Sequence, residues 1–222
     1  MSAGMEATVF LAALAFVWPF LGAVVVAALP APHSREAAVW MAGLGCVLSL
    51  VVFTFPSVGG SASGWDDDPV QRAGRVMLAF GLLLMVLENG TQPDRLLRSL
   101  PHVCTALAGL ACVAPEPAVG LGILELALAW GVFVFTRPAG QAKTGWGLIR
   151  TGSVGTMLVL SGLLLPQGSV VSGLMMACGL VILTGLAPFG QFWRDENDSF
   201  LFLPFAGASI LLAMRLRGHG GT

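Results

Sequence analysis

The sequence predicts an all-α, polytopic transmembrane helix bundle of about eight spans with its N-terminus outside. Three observations carry this. Of 222 residues, 56% are hydrophobic and only 10% charged, where a soluble domain carries about 25% charged residues. Mean hydropathy is +0.84. The few charges fall in clusters that cut the chain into apolar stretches of spanning length. With 11 basic and 12 acidic residues, no polybasic or polyacidic surface is available for nucleic acid. The same composition excludes disorder, collagen and coiled coil. Tyrosine is absent, leaving 6 Trp and 13 Phe as the interfacial and packing aromatics.

Residues 7–32 and 37–65 contain no Asp, Glu, Lys or Arg, and a spanning helix needs about 20 apolar residues. The first two spans are therefore expected near 7–29 and 37–56. Before them stands Glu6 without a base; a signal peptide needs a positive leading region, so the first helix is expected to be retained. Gly59–Gly64 and Asp66-Asp67-Asp68-Pro69 form a loop by composition. A third span follows near 70–87, with Arg72 and Arg75 expected to snorkel from its first turns. The fourth, near 99–114, is entered through Pro101, and Pro115-Glu116-Pro117 turns into a fifth near 118–135. Residues 151–193 are free of charge but too long for one helix. Leu165-Pro166-Gln167-Gly168 divides them into spans near 147–165 and 169–189, and an eighth lies near 199–214.

With the N-terminus outside, the inner loops hold Arg35, Arg95, Arg98, Arg137, Lys143, Arg150 and Arg194, and the outer ones hold Arg72, Arg75, Arg215 and Arg217. The excess of inner positive charge favours this orientation. It turns the sequons at Asn89 and Asn197 inward, which argues against glycosylation.

Cys46, Cys104, Cys112 and Cys178 lie singly in apolar stretches, and His33, His102 and His219 are scattered. No metal-ligand spacing results; the cysteines read as small buried hydrophobes. No HExxH motif, GxSxG elbow or intramembrane Asp pair is present, so no active site and no cofactor are expected on this chain.

One ionisable residue stands out. Glu125 falls near the middle of the fifth span, where a carboxylate costs on the order of 2.5 kcal/mol or more and should face protein or water. Gly122 and Ala129, at i−3 and i+4, give it a small-residue face suited to close helix packing. It reads either as a proton-relay site or as an acid bonded to a neighbouring helix. Arg150 opens the sixth span, as an interfacial snorkelling arginine or as a gating charge.

In order, these pieces resemble the N-terminal half of the antiporter-like membrane subunits of respiratory complex I, membrane-bound hydrogenases and multi-subunit Na⁺/H⁺ antiporters. FVWPFLGAVVVAAL resembles the family's first helix with its proline. LACVAPEPAVGLGILELALAWGVFVF is similar to the passage where the family places an intramembrane Glu, and Glu125 falls on it. GLIRTGSVGTMLVLSGLLL resembles the sixth helix, which opens with Lys and has Gly five residues on; Arg150 and Gly155 stand there. LVILTGLAPFGQFWRDE is similar to the seventh helix and its PFHxW ending, matched by Pro188, Phe189 and, one residue late, Trp193. The resemblance implies other membrane subunits as partners and a bacterial inner membrane as the location.

The departures limit what it implies. The family's mid-membrane lysine, which works with the Glu, is replaced by Leu183, and the PFHxW histidine by Gly190 or Gln191. The second half of the family's fold, with its own lysine and acid, has no counterpart. The expected role is a membrane-arm subunit of a complex-I-like or hydrogenase-like assembly, mainly scaffold, with at most a partial proton path through Glu125. Any enzymatic activity would belong to that assembly. The competing expectation is an autonomous small membrane transporter or channel, which an internal inverted repeat would support; none is evident.

Overall fold

A computed structural model describes residues 3–54, 69–88, 95–114, 116–135, 142–166 and 169–183. The described residues are all-helical, with seven helices and no strand. These are α1 (Ala3–Ala28), α2 (Ala31–Thr54), α3 (Pro69–Glu88), α4 (Arg95–Val113), α5 (Pro117–Phe135), α6 (Ala142–Leu164) and α7 (Val170–Leu183). Within them, Phe10–Ala28, Pro32–Thr54 and Leu96–Val113 are long and apolar enough to cross a bilayer. The stretch expected near 199–214 lies outside the described residues, as do Asn89, Asn197, Pro188, Phe189 and Trp193.

The chain divides into two compact units, Met1–Gly109 and Leu110–Thr222, with the boundary inside α4. In the first, α2 packs against both α1 and α3. The α1–α2 link is tight because the Pro30 carbonyl accepts from both the His33 and Ser34 amides, at 3.0 Å each. Small residues on one side of α2, Ala38, Ala42, Gly45 and Cys46, let its neighbours approach closely. Val26, Leu82, Met85 and Val86 fill the space beside Ala38 and Ala42. Trp18 Nε1 donates to the Met41 carbonyl at 2.8 Å, and the Cys46 thiol to the Ala79 carbonyl at 3.1 Å. Arg98 donates to the Ser34 hydroxyl, tying the start of α4 to the start of α2.

The distribution of polarity is that of a protein solvated by lipid. Phe10, Val24, Trp40, Val47 and Met77 are exposed, while Ser34, Ser99, His102 and Thr105 are buried. A water-solvated helix would present its polar residues outward. Apolar exteriors around small and polar interiors fit a membrane protein.

In the second unit α6 packs against α5 and, over a longer contact, α7. Pro117 opens α5 at a position where its missing N–H costs nothing. Ser169 caps α7, its hydroxyl accepting from the Ser172 amide at 3.1 Å. Between α6 and α7 the backbones nearly touch. A Cβ placed on Gly179 would lie 2.6 Å from the Gly155 carbonyl oxygen, and one on Gly162 would lie 3.0 Å from the Ser172 carbonyl. The Ser172 hydroxyl closes the contact by donating to the Gly162 carbonyl at 2.7 Å.

A hydroxyl-clamped carboxyl as the candidate functional site

Glu125 is half-buried on α5, and its carboxyl reaches α6. Ser153 Oγ donates to Oε1 at 2.5 Å and Thr156 Oγ1 donates to Oε2 at 2.9 Å. Ser153 and Thr156 are three residues apart, so one turn of α6 presents both hydroxyls to the same carboxyl. Gly152 leaves the neighbouring space that Leu128 of α5 occupies; a Cβ there would overlap the leucine. The clamp therefore depends on a glycine beside two hydroxyl residues.

This geometry serves either protonation state. An ionised carboxylate accepts both hydroxyl protons. A protonated one donates its own proton to one hydroxyl oxygen and still accepts from the other. Among the described residues no basic group joins the carboxyl, and its partners are the two hydroxyls. Nor do the described residues group three His, Cys, Asp or Glu side chains as a metal site would need.

Arg150 is not brought to Glu125. It is exposed on α6, one turn before Ser153, and the carboxyl's hydrogen bonds go to Ser153 and Thr156 instead. Gly155 stands at the near-contact of α6 with α7, where Leu183 Cγ would lie 2.9 Å from an added Cβ. The position that the resemblance assigns to a lysine is thus occupied by a leucine packed on α6. The small-residue face beside Glu125 does not pack: Gly122 and Ala129 are exposed, and among the described residues nothing lies within 4 Å of a Cβ built on Gly122.

Two polar groups in the first unit were not singled out by spacing. His102 is 1% exposed, and among the described residues neither ring nitrogen has a hydrogen-bond partner. Its ring sits over Gly22, where a Cβ would strike Cδ2. Thr105, one turn on, also carries a buried hydroxyl without a partner among the described residues. The clustering of Arg98, His102 and Thr105 at intervals of four and three is the signal that locates this polar line on one face of α4. No protein-family model, no curated protein and no solved structure matches the chain.

Proposed function

We propose that this chain is a membrane subunit of a multi-subunit, proton-translocating assembly of the complex-I or hydrogenase type, where it acts mainly as a scaffold. In this reading it crosses the bilayer eight times with the N-terminus outside, and Glu125 contributes at most a partial proton path. The observation that supports the scaffold role is the clamp on Glu125. A relay passes a proton between neighbouring titratable groups whose charge states alternate. Here the carboxyl is held by two hydroxyls, groups that orient a proton but do not store one. The outward side of α5 adds Leu126, Trp130 and Phe133 beside Gly122 and Ala129, an apolar surface with room for close approach by another membrane helix.

Affinity purification of a tagged chain in mild detergent tests the reading. Recovery of redox subunits or longer antiporter-like subunits in fixed stoichiometry is the expected result. A chain recovered alone or only with copies of itself overturns it and favours an autonomous transporter. In the recovered complex, Glu125→Gln separates the two roles: unchanged proton-coupled turnover removes the partial path and leaves the scaffold.

A further inference from the structure

A proline break borders a cavity inside the first unit, independent of Glu125. Pro19 lies within α1, and its ring nitrogen carries no hydrogen. The Ala15 carbonyl, four residues earlier, therefore has no helical amide to accept from. Ala15 and Pro19 both line a cavity of about 40 Å³ among α1, α2, α3 and α4. A second cavity, about 10 Å³, also touches Ala15.

A second polar group meets the same space. Thr105 of α4 is 3% exposed and lines the larger cavity, and its hydroxyl has no hydrogen-bond partner among the described residues. Ser49 of α2, half-buried, lines both cavities. Trp18 Nε1, on the wall of the larger one, is already spent on the Met41 carbonyl. In a membrane helix the carbonyl that a proline frees is satisfied by a neighbouring side chain or by ordered water. The Thr105 hydroxyl does not fill that role directly, since it has no bond of its own. The chemistry of the wall then selects the occupant. A carbonyl only accepts, so an anion cannot serve it. Arg75 lines the same cavity, which sets a positive charge against any cation. A neutral molecule that both donates and accepts suits every group present. A water needs roughly 10–15 Å³ of such space, so the larger cavity has room for about three.

We infer that the first unit holds an internal water site at the proline break of α1, where water donates to the Ala15 carbonyl and bonds the Thr105 and Ser49 hydroxyls. Buried water with roughly two to four polar partners is a fixed part of a structure, and here the partners come from three helices. The water stands in for the amide that Pro19 lacks and joins α1 to α2 and α4 by hydrogen bonds that the apolar side chains around it cannot make.

The test is water-edited solid-state NMR on the full chain in bilayers of lipid with deuterated acyl chains. The chain carries carbonyl-¹³C alanine and ¹⁵N phenylalanine. The Ala-Phe pair occurs only at Ala15-Phe16 and Ala79-Phe80, so a one-bond carbon–nitrogen filter reads those two carbonyls alone. Ala79 is the internal reference: it lines the same cavity, but its carbonyl already accepts from the Cys46 thiol at 3.1 Å. Magnetisation from water protons should reach the Ala15 carbonyl severalfold faster than the Ala79 carbonyl. Pro19→Ala, which returns the helical amide, should abolish that difference. Thr105→Val, which exchanges only the hydroxyl for a methyl group, should slow the transfer to Ala15. Equal transfer to the two carbonyls in the unmodified chain overturns the inference. So does either variant, folded by circular dichroism, that keeps the parental transfer to Ala15.

Discussion

Replacing Gly179 by alanine should loosen the second unit by a measurable amount. The added Cβ would lie 2.6 Å from the Gly155 carbonyl, 2.7 Å from Val159 Cγ2 and 2.8 Å from the Val159 amide nitrogen, while ordinary contact begins near 3.4 Å. Two of these three neighbours are backbone atoms, so no rotamer change clears them. The helices must part by about 0.8 Å, enough to forfeit roughly a quarter to a half of each dispersion contact along the seam. Overpacking of this kind costs about 1–3 kcal/mol, offset by up to about 1 kcal/mol from alanine's better helix propensity. The net loss of about 1–2 kcal/mol corresponds to a melting temperature lower by roughly 3–6 °C for a chain of this size. Gly173 supplies the control on the same helix, since among the described residues nothing lies within 4 Å of its Cβ position. Thermal unfolding in one detergent should therefore leave Gly173→Ala level with or slightly above the parent. Equal melting temperatures for the two variants would refute the backbone contact between α6 and α7.

Three further outcomes follow from described contacts. Glu125→Ala strips the acceptor from Ser153 and Thr156 and should cost about 2 kcal/mol in thermal unfolding, while Glu125→Gln, which both accepts and donates, should stay within about 1 kcal/mol of the parent. Gly22→Ala should destabilise by about 2 kcal/mol through its collision with His102, and a double-mutant cycle with His102→Ala should recover at least about 1 kcal/mol of that; additivity of the two changes would deny the contact. Cys178 is exposed whereas Cys46, Cys104 and Cys112 are buried, so a bilayer-permeant maleimide should label one thiol in the folded protein and four after denaturation, as counted by intact mass.

The all-helical class was legible because charges are scarce and clustered, which is a property of composition and spacing alone. The helix ends were less so. α4 begins at Arg95 and α6 at Ala142, several residues before the apolar stretches expected near 99 and 147. A charge marks where a helix leaves the apolar zone, not where its hydrogen bonding stops. Glu125 was visible as an anomaly, but its clamp was not, since it depends on the register between α5 and α6. The serine and threonine at an interval of three carry no sign of which helix they face. Small-residue spacing marked Gly122 and Ala129, which are exposed, and gave no sign that the tight contact within the chain is built by Gly155, Gly162 and Gly179. His102 has no metal-ligand spacing, and its burial over Gly22 leaves no mark in the sequence beyond the polar interval it shares with Arg98 and Thr105.

The clamp also bears on how the chain is made. Synthesis runs from α5 to α6, so Glu125 leaves the ribosome 28 residues ahead of Ser153 and 31 ahead of Thr156. Until α6 arrives, the α5 carboxyl has no hydroxyl to meet it in an otherwise apolar segment. In the proposed eight-span arrangement, α5 enters the bilayer with its one acid unmatched, and α6 brings both hydroxyls within a single turn. The pairing of Glu125 with Ser153 and Thr156 is then a late event of assembly, completed only when both helices are in place.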